Sequence, residues 1–83
     1  PLMTEERRLL LVKQLKQRAE SARVTLRNYR RDLLTVLKKQ VQDKLMTQDE
    51  LKREEKQVQS LLDSKMKLVD DLLQRKSEEL VHT

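Results

Sequence analysis

Residues 12–36 read VKQLKQRAESARVTLRNYRRDLLTV, and the apolar members Val12, Leu15, Ala19, Ala22, Leu26, Tyr29, Leu33 and Val36 advance by alternating steps of three and four. That spacing keeps one stripe of a helix apolar through more than three heptads, the pattern of a long helix packed along a seam. The same stretch carries Arg23, Arg27, Arg30 and Arg31. On a helix turning about 100° per residue, Arg23, Arg27 and Arg30 form a narrow basic stripe beside the apolar seam, which Lys16 extends. A guanidinium keeps its charge at any working pH and presents a planar fork of N–H groups that fits two phosphate oxygens at once. One helix thus carries an apolar surface and an anion-binding surface side by side.

Outward from this stretch, Thr4 is placed to cap the helix, with Glu5 and Glu6 in the first turn and Lys38, Lys39 and Lys44 towards the far end. Acids near the start and bases near the end both suit the helix dipole. The helix is predicted over about residues 4–44. Thr47-Gln48-Asp49-Glu50 is a T-x-x-E capping box and opens a second helix, predicted over about 48–81. Its apolar residues Leu51, Val58, Leu62, Met66, Val69, Leu73 and Leu80 fall on one face. The turn, at about 43–47, holds neither Gly nor Pro and is placed by the capping box alone. Two long helices on a short connection pack antiparallel, so the predicted fold is all-α, a long helical hairpin. Leu10, Leu11, Leu34, Leu37, Leu61, Leu68 and Leu72 lie beyond the main seams, and a lone hairpin would leave them wet. They call for a cover, either a third helix or a second copy.

Composition agrees. The 83 residues include no Gly, no Cys and a single aromatic, Tyr29, while 40% are charged, which suits long helices and excludes a sheet-rich or disulfide-stapled domain. Residues 1–46 hold 12 Lys and Arg against 5 Asp and Glu, whereas residues 47–83 hold 7 against 9. The basic character therefore belongs to the first helix and points to a polyanion, nucleic acid before an anionic membrane. The longest apolar run, Leu9–Val12, is one helical turn, far short of the roughly 20 residues that span a bilayer. Tyr29 occupies a seam position and is expected in the core. His82 has no second ligand, and the pairs Glu54-Glu55, Asp70-Asp71 and Glu78-Glu79 splay apart on a helix as solvent-facing charges. No nucleophile stands with a base, so no catalytic residue, metal site or cofactor is predicted, and the chain does not read as an enzyme.

Several blocks resemble the ribosome recycling factors. They are Pro1-Leu2-Met3-Thr4-Glu5-Glu6-Arg7-Arg8, Leu11-Val12-Lys13, Ala19-Glu20-Ser21-Ala22-Arg23-Val24 and, most specific, Leu26-Arg27-Asn28-Tyr29-Arg30-Arg31-Asp32. Leu37-Lys38-Lys39, Asp49-Glu50-Leu51-Lys52, Gln59-Ser60-Leu61-Leu62-Asp63 and Lys76-Ser77-Glu78-Glu79-Leu80 continue the match. The resemblance implies a three-helix bundle with a small β-rich domain inserted between its first and second helices. This chain would supply the second and third helices, with Pro1 at the hinge and the missing first helix as the apolar cover.

The resemblance also implies that the arginines contact RNA of the large ribosomal subunit. Arg30 leads, followed by Arg27, Arg23 and Arg31; Lys16 joins them on geometry alone. The implied partners are that subunit and elongation factor G, whose GTP chemistry drives the splitting of post-termination ribosomes. The implied location is a bacterial cytoplasm or a mitochondrial or plastid matrix. Lys52, Arg53 and Lys56, on the less basic second helix, are expected to add little to anion binding. Leu33-Leu34-Thr35-Val36 departs from the small and polar residues usual after the Arg-Arg-Asp block and marks a divergent member. The competing reading is a structural coiled-coil module that self-associates through its apolar faces.

Overall fold

A computed structural model describes residues 3–81 as two helices, α1 (Glu5–Gln42) and α2 (Gln48–Val81), packed as an antiparallel hairpin of 63 × 15 × 12 Å. No strand occurs among the described residues, in agreement with the all-α hairpin expected from the sequence. Pro1 and His82, to which the sequence assigned a hinge position and no ligand role, lie outside the described residues.

Each helix starts where a hydroxyl can satisfy an orphan amide. Thr4 Oγ1 accepts from the Arg7 amide at 3.2 Å, and Thr47 Oγ1 accepts from the Glu50 amide at 3.1 Å. The Glu50 carboxylate reaches back to Thr47 and accepts from its hydroxyl, also at 3.1 Å. The end of α1 follows a rule that its sequence hides. Lys44 adopts φ 63°, the Leu45 amide donates to the Gln40 carbonyl at 2.8 Å, and the Lys44 amide donates to Val41 at 3.0 Å. This pair of bonds is a Schellman ending, whose left-handed position is usually glycine. Here a lysine takes it.

The hairpin is closed at its open end by Arg8, whose Nε donates to the Leu80 carbonyl at 2.9 Å. The last turn of α2 has no basic residue of its own, so α1 supplies the cation that its carbonyls and dipole favour.

Between these ends the seam is thin. Ala19, Leu51 and Leu62 are the buried apolar residues, Leu62 being only 4% exposed. Around them Leu15, Ala22, Leu26, Leu33 and Leu37 of α1 and Val58, Met66, Val69, Leu73 and Leu80 of α2 are half-buried. Two members of the sequence-predicted seam fail to join it: Tyr29 is 57% exposed and Val36 53%. The cause is the difference between 3.5 and 3.6 residues per turn. A strict seven-residue repeat rotates by about 20° per heptad on a straight helix. Along Ala22, Tyr29 and Val36 this drift carries the repeat off the seam, and Leu33, Leu34 and Leu37 take over the contact.

The displaced residues are not scattered. Viewed along an antiparallel pair, Leu11, Tyr29 and Val36 flank the seam on the same broad side as Leu61, Leu68 and Leu72 of α2. A shallow groove on that side is lined by Leu15, Ala22, Val69 and Leu72, between Arg18 and Lys76. The opposite broad side carries the arginine stripe. The hairpin therefore has one apolar face and one charged face.

Candidate nucleic-acid interface

Helical spacing places Lys16, Arg23, Arg27, Arg30 and Arg31 on the charged side, but their surroundings divide them. Arg23 spans the hairpin: its Nε and Nη2 both donate to Asp70 Oδ1, at 3.2 and 2.6 Å, and its Nη1 donates to Glu20 Oε2 at 3.2 Å. Glu20 gives its other oxygen to Arg27 Nη2 at 2.7 Å. The chain Arg27–Glu20–Arg23–Asp70 is thus one charge network linking the two helices. Asp70 is part of this strap, a correction to its reading as one of a pair of merely solvent-facing acids.

The titration of these groups follows the geometry. Hydrogen bonds from Arg27 and then Arg23 hold the Glu20 carboxyl below its ordinary range. The hydrogen bond to Asp70 raises the Arg23 guanidinium further above the range in which it could lose a proton. Arg31 is held more weakly, its Nε 3.3 Å from the carboxylate of the adjacent Asp32.

Arg30 differs from all three. It is exposed and has no hydrogen bond or ion pair among the described residues, so its five N–H donors are all available to an outside acceptor. Lys16 is likewise exposed and without a partner among the described residues. Arg30 and Leu34 together form the ridge between two shallow grooves. One, of about 350 Å³, is lined by Arg27, Arg31, Thr35 and Lys38 of α1. The other, of about 420 Å³, lies between the helices, and Lys52, Glu55, Lys56, Val58 and Gln59 of α2 line it.

Two cations set aside in the sequence therefore share a groove with the leading candidate. Lys52 and Lys56 belong beside Arg30, whereas Arg53 points away from both helices' contact. Helix-by-helix charge counting hides this grouping. Pairing residues at similar distances from the turn at 43–47 brings the Lys52–Gln59 segment opposite Leu34 and its neighbours, and would have revealed it. Among the described residues no group of His, Cys, Asp and Glu could hold a metal ion, and no helix is long and apolar enough to cross a membrane.

The described residues thus form a two-helix arm, apolar on one broad face and arginine-rich on the other. The chain belongs to the ribosome recycling factor family, whose sequence pattern matches residues 1–81. It is similar to the ribosome-recycling factor of Methylobacillus flagellatus, 46% identical over 81 residues, which are 98% of this chain and 44% of the relative. The ribosome-recycling factor of Pelobacter propionicus is 47% identical and that of Carboxydothermus hydrogenoformans 44% identical, with the same coverage of each chain. The chain thus spans less than half the length of these relatives. No match to a solved structure was found.

Proposed function

We propose that this hairpin is the RNA-binding part of a recycling factor's helical arm, gripping large-subunit ribosomal RNA through its charged face. The observation that carries the reading is Arg30, exposed and unpaired at the junction of two basic grooves, within a chain of this family. Arg23 serves chiefly as a strap between the helices, while Arg27 and Arg31 share their charge with acids and add field more than direct contacts. The apolar face receives the family's first helix, completing a three-helix bundle that carries the β-rich domain. In the complete factor, elongation factor G with GTP supplies the energy, and the rod holds RNA phosphates while force passes along it to part the subunits.

The test is subunit splitting by the full-length protein. Arg30→Ala removes a charge-assisted contact of the kind worth about 10- to 100-fold in affinity. Splitting is expected to fall with it, with helix content unchanged, and Arg30→Lys to restore it in part because a point charge lacks the fork. Wild-type splitting by Arg30→Ala overturns the proposal.

A second reading is favoured by the exposed Leu61, Leu68 and Leu72: a coiled-coil module that pairs with its own copy. Molar mass in solution separates the two. A full-length protein that is an obligate dimer through this face supports self-association, and a monomer supports the covered bundle.

A further inference from the structure

Arg30 and Lys16 of α1 are not the only cations on the charged side without a partner among the described residues. Lys52 and Lys56 are exposed, have no acid partner among the described residues, and line the same groove as Arg30. The groove floor is Leu34 and Val58, with Gln59 at its edge as a neutral donor and acceptor. Three cations stand there against one anion, Glu55. Three lysine and arginine heads outnumber that single carboxylate and repel one another, an arrangement that an incoming polyanion relieves.

Because Arg30 also borders the α1 groove with Arg27, Arg31, Thr35 and Lys38, the two basic grooves meet at Arg30 and Leu34, with Arg30 the one cation common to both. We infer that Lys52 and Lys56 form a second phosphate site, so that a ribose-phosphate strand crosses the hairpin from Lys38 and Arg31, over Arg30, to Lys56 and Lys52. This rests on the reading of the charged face as RNA-binding and deepens it: the binding unit is a cradle made by both helices, not a stripe along α1. The cradle exists only when the hairpin is folded in register, since Lys52 and Lys56 come from the far side of the turn. RNA binding and hairpin closure therefore reinforce each other. Glu55 sets a limit on the affinity, because a carboxylate among phosphates repels them.

The experiment measures affinity of the full-length protein for large ribosomal subunits across a salt series. Each phosphate neutralised contributes about 0.7 to 0.9 to the log–log slope. Lys52→Gln with Lys56→Gln should lower the slope by between one and two such increments. Arg53→Gln with Lys65→Gln removes the same charge from the outer and apolar sides of α2 and should leave the slope nearly unchanged. Glu55→Gln should tighten binding, whereas Glu54→Gln, an equal charge change on the apolar side of α2, should not.

Equal slopes for the two lysine-containing pairs, with Arg30→Gln still weakening binding, would overturn the cradle and leave the α1 reading standing. If Arg30→Gln also has no effect, the RNA-binding reading fails first. Far-UV circular dichroism of each variant separates lost contacts from lost helix.

Discussion

Leu61 and Leu10 are each 51% exposed in the hairpin, yet they should respond very differently to truncation in the full-length protein. Full burial of a leucine side chain is worth about 1.5 to 3 kcal/mol. Half of that, about 1 kcal/mol, is what the hairpin alone recovers from either residue. Leu10 faces away from the seam, and Leu10→Ala should cost no more than about 1 kcal/mol. Leu61 lies on the apolar face with Leu68 and Leu72, and a helix laid over that face buries the rest and leaves a cavity on truncation. Leu61→Ala should then cost about 2 to 4 kcal/mol, approaching Leu62→Ala at the buried seam. Urea unfolding of the full-length protein followed by far-UV circular dichroism, at one fixed protein concentration, gives the three values. A Leu61→Ala cost equal to that of Leu10→Ala would show that the face is solvated and that the covering helix was wrongly inferred.

Other expectations follow from particular bonds. Lys44→Gly should stabilise the protein by up to about 1 kcal/mol, because glycine occupies φ 63° without the Cβ clash but is more disordered when unfolded; the urea midpoint reads this. Glu20, held ionised by Arg27 and Arg23, has a lower pKa folded than unfolded, so its contribution is full at neutral pH and is lost as pH falls through and below the ordinary glutamate range near about 4.3. The gap in thermal midpoint between wild type and Glu20→Gln should accordingly narrow on acidification, and a gap that is constant from pH 7 to about 3 would contradict the network. The 83-residue hairpin by itself, with a thin seam and an open apolar face, should melt broadly and with a midpoint that rises with concentration, as read by circular dichroism at several concentrations.

How far these features were legible in the sequence depends on which physical rule each one obeys. The hairpin was legible because capping and periodicity are local: Thr4, Thr47 and Glu50 announce their roles in the sequence itself. The seam of α2 was legible for the same reason, since its apolar residues already average 3.6 per turn. Tyr29 and Val36 were misplaced because an ideal seven-residue count was extended along a helix that does not supercoil enough to keep it. The end of α1 gave no signal, as a lysine stands where glycine would have marked the left-handed residue. At the candidate interface, the spacing of Arg23, Arg27 and Arg30 put them on one surface but could not tell paired from unpaired. Glu20 and Asp32, which hold Arg27 and Arg31, lie on the same helix, but the strap from Arg23 depends on Asp70, 47 residues away, and thus on the register of the hairpin. The place of Lys52 and Lys56 beside Arg30 was hidden for the same reason, because it is a property of two helices together.

The central claim is that RNA meets the charged face and not the apolar one. These 83 residues hold no cysteine, so single cysteines introduced here can be labelled with a short photo-crosslinker once any cysteine elsewhere in the full-length protein is replaced. Thr35→Cys places the probe in the α1 groove beside Arg30, and Leu72→Cys places it in the groove of the opposite face. With the full-length protein bound to large subunits, the probe at position 35 should crosslink to ribosomal RNA and lose that crosslink when Arg30→Ala is added, while the probe at 72 crosslinks only to protein. RNA crosslinked equally from both positions, or from 72 alone, would contradict the account.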